Sequence, residues 1–133
     1  MKKDACYGLS RETLQTILDN ISYEVYVTNA ALDIIYVSKS CYKHYGLKAE
    51  EMIGRNHAEF SGKYWYPSVL PLTYVEKRRM CIQQVTVTGE TIVSTTVPVF
   101  DADGNVRMVV SIVQEEVGDL DMSVSLEAGS QYT

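Results

Sequence analysis

The chain has 133 residues and a net charge of −5, with 46% hydrophobic and 22% charged residues, a balance that suits one globular domain able to bury its core without disulfide or metal staples. The acidic balance argues against direct nucleic-acid binding, because phosphates are repelled. No run approaches the roughly 18 apolar residues of a membrane span, and "MKKDACYGLS" lacks the apolar core of a signal peptide.

Cys6, Cys41 and Cys81 are odd in number and lack framework spacing, so reduced thiols in a cytoplasmic protein are expected. The ten tyrosines offer wide contact area with a polar tip, suited to interfaces or to a partly polar cavity.

In chain order, "SRETLQTILDNI" (10–21) places Leu14, Ile17, Leu18 and Ile21 on one helical stripe, with Ser10 as N-cap. The stripe is narrow and must lie on its own domain or on the same helix of a second chain. "EVYVTNA" (24–30) alternates and "DIIYVS" (33–38) is β-branched and aromatic, so a hairpin is predicted. Ser38 is the expected cap of a helix through "KSCYKHYG", stopped by Gly46, and "KAEEMIG" follows as a second short helix before Gly54. A helix is predicted from Pro67 to about Arg79, burying Val69, Leu70, Leu72, Tyr74 and Val75. The basic run Lys77-Arg78-Arg79 after Glu76 reads as a solvated helix end.

Three strand-like runs close the pattern: 80–88, 90–100 and 105–116. Gly89 joins the first two, and Asp103, Gly104 and Asn105 supply a tight turn between the last two. Hairpin-linked strands with helices grouped between them predict an α+β fold, an antiparallel sheet with helices on one face. Residues 118–133 turn acidic and then Ser/Gly-rich, as a linker or tail does.

"LDNISYEVYVTNAALDIIYVSKSCYKHYGLKAEEMIGRN", followed much later by "PVFDADGNVRMVVSIV", resembles a PAS domain. The resemblance implies a five-stranded antiparallel sheet in the order 2-1-5-4-3, with short helices on one face. It divides the chain into an N-terminal amphipathic flank (1–22), a PAS domain (23–117) and a tail (118–133). The stretch from Tyr64 to Asp101 is most similar to the N-terminal sensory PAS domains of bacterial sigma-54-dependent transcriptional activators. Those carry an ATPase and a helix-turn-helix. This chain shows neither a phosphate-loop motif nor a basic recognition helix, so the output module is expected on a larger regulator.

Flavin-binding photosensors of the family carry "GRNCRF" where this chain reads "GRNHAEF". His57 stands at the place of the reactive cysteine, and an imidazole cannot form the thiolate bond to flavin. Gln114 falls where such photosensors have a glutamine. Haem-binding relatives place an axial histidine before the third strand, and 67–79 contains none. Neither flavin nor haem is therefore expected.

His57 has three readings: a packed histidine bonded to a backbone carbonyl, a polar group facing a ligand cavity and titrating near neutrality, or a general acid/base, for which no second chemical group is placed beside it by spacing. Tyr45, Phe60, Trp65 and Tyr66 are candidate cavity walls. Ser94, Thr96, Ser111 and Gln83 would read a ligand if they face inward, but apolar residues on both strand faces leave the facing open. Cys41 and His44 share a helix face, yet two ligands do not make a metal site, and no metal is expected. No catalytic constellation is present either, so the chain is read as non-enzymatic. Two functions remain: a sensor for a small molecule, or a ligand-free dimerisation and docking module using Leu14, Ile17, Leu18 and Ile21. A homodimer is expected under both.

Overall fold

In a computed structural model the described residues, 8–115, form helix α1 (Arg11–Asp19), strands β1 (Glu24–Asn29) and β2 (Ile34–Val37), helices α2 (Cys41–Tyr45) and α3 (Ala49–Met52), a 3-10 turn (His57–Glu59), strand β3 (Trp65–Tyr66), helix α4 (Leu70–Glu76), and strands β4 (Met80–Thr86), β5 (Thr91–Phe100) and β6 (Val106–Glu115). The segment predicted as a tail, and Cys6, lie outside the described residues.

The strands make one sheet in the order β2-β1-β6-β5-β4-β3, with every neighbouring pair antiparallel. The sheet therefore has six strands, not five. The addition is the two-residue β3, which pairs Trp65 and Tyr66 with Thr86 and Val85 at the β4 edge. Without it the order is 2-1-5-4-3.

Turn chemistry explains the joins. Asn29 Oδ1 accepts from the backbone N–H of Ala31 and Asp33, which closes the β1–β2 turn. Asp101 Oδ1 accepts from Asp103 and Asn105 N–H, and Gly104 takes the left-handed φ of +85° that the β5–β6 turn requires. Gly46 ends α2 at φ +74°.

β1 and β6 are central. Val25, Tyr26, Val27 and Thr28 are all buried, so β1 is covered on both faces. The core lies between the inner face and α2–α4, where Ile34, Val37, Ile92 and Val109 of the sheet pack with Met52 of α3. The outer face meets α1 through Asp19, whose carboxylate accepts from the Tyr36 hydroxyl at 3.0 Å.

Three local expectations are corrected. Ser10 caps α1 as predicted, accepting from Thr13 N–H at 3.0 Å, but Ser38 does not cap α2. Its hydroxyl accepts instead from Val25 N–H at 2.8 Å, tying the end of β2 to β1, and Ser40 occupies the cap position. The helix predicted from Pro67 to about Arg79 is shorter: α4 starts at Leu70, after a cis Tyr66–Pro67 bond, and stops where Lys77 turns left-handed at φ +55°. Its inner stripe is consequently Leu70, Thr73 and Tyr74, and Leu72 and Val75 are exposed.

Candidate ligand cavity

Register decides which polar strand residues look inward. Tyr26 pairs with Ser111, and Ser111 with Thr96, so these three share the inner face. Ser94 pairs with Ile82 and Gln84 with Ile92, adding Ser94 and Gln84 to it. A cavity beneath α4 is lined by Tyr26, Tyr45, His57, Trp65, Ser68, Val69, Leu70, Gln84, Ser94, Thr96, Ser111 and Val113. Of the predicted residues, Tyr45, His57, Trp65, Ser94, Thr96 and Ser111 come together there.

Three predicted residues do not. Gln83 is exposed on the outer face of β4, and its neighbour Gln84 takes the inward place, donating from Nε2 to Pro67 O at 2.7 Å. Two adjacent glutamines look alike in sequence; only the pairing with β5 separates them. Phe60 is buried, but it lines an open groove of about 520 Å³ on the other side of the 3-10 turn, with Leu47, Arg55 and Tyr64. Tyr66 is exposed at the β3 edge.

His57 is 3% exposed. Asn56 holds it in place: the Asn56 side chain caps the 3-10 turn, accepting from Ala58 N–H, and donates to Ala31 O and Asp33 Oδ1 on the β1–β2 turn. The ring bridges two side chains, with Nδ1 at 2.7 Å from the Tyr26 hydroxyl and Nε2 at 3.1 Å from Ser68 Oγ. In the neutral imidazole one nitrogen donates and the other accepts, and both hydroxyls can answer either way. Its partners are thus side chains, not the backbone carbonyl of the packed reading. Burial disfavours the imidazolium and lowers the pKa from 6.5 to about 4, so the charge does not change near neutrality, which corrects the expected titration. The Trp65 ring lies between Tyr26, Tyr45 and His57, with centroids 4.9–5.6 Å away.

The hydroxyls behave differently from one another. Thr96 Oγ1 lies 2.6 Å from Thr73 Oγ1, joining β5 to α4. Ser111 Oγ is buried and meets no protein partner among the described residues. The room inside is small, a cavity of about 20 Å³, enough for about one water.

Behind this cavity, Glu24 is fully buried at the start of β1. Its carboxylate lies 2.7 Å from His44 Nδ1 and accepts from the Tyr45 hydroxyl at 3.0 Å. Burial raises the Glu24 pKa against the pull of these bonds. Sequence reading missed Glu24, Tyr26, Ser68 and Gln84; a glutamate opening a β-branched strand was the one signal available for the first of them.

No protein-family model matches the chain, and no curated protein sequence does. Solved structures do. The chain is similar to a sensory-box sensor histidine kinase from Vibrio cholerae, at 16% identity and a TM-score of 0.57 over 81% of this chain and 93% of that one. It is similar to the PAS domain of BvgS from Bordetella pertussis, at 14% identity and 0.55 over 90% and 96%. It is also similar to the PAS domain of an HTR-like protein from Haloarcula marismortui, at 14% and 0.58 over 79% and 90%. The strand order, the helices on one face and these likenesses agree: the fold is that of PAS domains.

Proposed function

We propose that this chain is a sensory signalling module whose inner cavity takes a small polar molecule and biases an attached output module, in the setting of a sigma-54-dependent transcriptional activator. The observation that carries the reading is Ser111 Oγ, a buried hydroxyl with no protein partner among the described residues, facing the same cavity as His57. A buried hydroxyl left unpaired costs roughly 1–3 kcal/mol, and a ligand oxygen or nitrogen relieves that cost. The existing space is water-sized, so a larger occupant requires α4 and the Pro67–Val69 segment to move outward. Such a movement is the physical form of a signal, because occupancy then favours one of two arrangements.

We read the site as non-enzymatic. Ser68 and His57 are within hydrogen-bond distance, as a nucleophile and its base are, but the other ring nitrogen faces a phenol instead of a carboxylate, and burial makes this imidazole a poor proton acceptor. Among the described residues no helix is long and apolar enough to cross a membrane; a cytoplasmic location is part of the proposal.

A second reading has its own support. None of the α1 residues is buried, and Ile17 and Ile21 are exposed. A ligand-free dimerisation module would use this stripe, with Leu14 and Leu18, to meet a second copy. Native mass spectrometry of the purified chain separates the two. A bound small molecule released on denaturation supports the sensor. A bare dimer, indifferent to added metabolites, supports the docking module.

A further inference from the structure

His44 has one ring nitrogen to spare. Nδ1 is engaged by Glu24 at 2.7 Å, while Nε2 is buried and meets no protein partner among the described residues. A ring nitrogen of His44 and carboxylate oxygens of Glu90 and Glu115 all lie within 4.8 Å of one another, and with Nδ1 engaged the remaining donor is Nε2. The three residues come from α2, the β4–β5 turn and the last described residue of β6. Two features hold them together: Thr88 Oγ1 in that turn donates to His44 O at 3.0 Å, and Ile92 at the start of β5 pairs with Glu115.

We propose that His44, Glu90 and Glu115 bind one divalent transition cation, with Zn²⁺ as the best-matched ion. One imidazole and two carboxylates are a donor set such ions accept, and two carboxylates balance the ionic charge. Glu24 completes the pattern from behind, because a carboxylate on Nδ1–H fixes the tautomer that presents the Nε2 lone pair. Donor atoms around Zn²⁺ stand roughly 3.3 Å apart, given bonds of about 2.0–2.2 Å. Glu90 and Glu115 are accessible enough to swing in by that distance. The competitor is Lys43, whose ammonium lies 2.7 Å from Glu115 Oε1; both side chains are exposed, so the pair is weak and yields to a dication. Cys41 is no fourth ligand, since its thiol is buried and donates to Leu47 O. The cation would pin the end of β6 to α2 and the β4–β5 turn. The inference is independent of what occupies the inner cavity.

The test is calorimetric titration of Zn²⁺ into the tag-free, chelator-stripped full chain near neutral pH. One equivalent binding at micromolar affinity or tighter is expected. Glu90→Gln and Glu115→Gln, both at solvent-accessible positions, should keep the fold by circular dichroism and each weaken binding. The double variant should abolish it, and Glu24→Gln should weaken it by about tenfold or more. In ¹⁵N spectra the ion should shift His44 Nε2 and leave His57 unmoved. Binding no tighter than millimolar, unchanged affinity in the double variant, or a shift at His57 instead of His44 overturns the site.

Discussion

The Tyr26 hydroxyl and His57 Nδ1 lie 2.7 Å apart inside the protein, joining the central strand β1 to the 3-10 turn that carries the histidine. Because both groups are buried, neither finds a replacement partner easily when the other is removed. Tyr26→Phe is therefore expected to destabilise the fold by about 1–3 kcal/mol, the cost of leaving a buried ring nitrogen unmatched. Urea unfolding followed by tryptophan emission measures it; a change within experimental scatter would show that the bond contributes nothing.

His57 also sets a pH dependence. Its folded pKa is about 4 against an ordinary 6.5, so between these values the unfolded chain binds the extra proton. The stabilisation is fully present above pH 6.5 and is lost as the pH falls towards 4, amounting to roughly 3 kcal/mol over that window. Glu24, whose folded pKa is raised, works with the opposite sign, so the comparison must be with a His57→Gln variant. The wild type should lose more stability than the variant between pH 7 and 4.5 in paired urea titrations. Parallel losses would mean that the imidazole titrates normally.

Ser111 is expected to respond in the opposite sense to Tyr26. Its hydroxyl has no protein partner among the described residues, so Ser111→Ala removes an unsatisfied group and should leave the melting temperature unchanged or raise it, as replacing an unpaired polar atom does. A loss above about 1 kcal/mol would mean that the hydroxyl is already well bonded.

Exposed Ile17 on α1 and Ile21 just beyond its C-terminal end carry the prediction about assembly. Ile17→Glu with Ile21→Glu should convert a dimer to a monomer in sedimentation velocity while leaving the thermal transition in place, because both residues are exposed in their own chain and neither belongs to its buried core. A variant that stays dimeric would move the interface elsewhere, the apolar outer face of the sheet being the next candidate.

Element order was legible in the sequence because the signals were local. The 3.6-residue stripe with Ser10 marked α1, the alternation of "EVYVTN" marked β1, and Asp103-Gly104-Asn105 marked the β5–β6 turn. What was not legible depended on partners distant in the chain. Gln83 and Gln84 differ only through pairing with β5, and the inward facing of Ser94, Thr96 and Ser111 follows from the same register. β3 is two residues long, too short to show a period. In α4 the late start at Leu70 rotated Thr73 inward and Leu72 outward, against hydropathy, because Thr73 has Thr96 and the carbonyl of Val69 to bond. The group of His44, Glu90 and Glu115 has no spacing motif at all; three separate elements meet only in the fold.

The central claim is that the cavity between α4 and the inner face of the sheet receives a small polar molecule. Its most direct test is a ¹H–¹⁵N NMR titration of the full chain with a panel of small carboxylates, ketones and amides at up to millimolar concentration. At least one compound is expected to shift the Tyr26, His57, Ser68 and Ser111 signals in a saturable manner, with the response weakened in Ser111→Ala. A panel that leaves these signals still, or moves only surface residues outside the cavity, would contradict it.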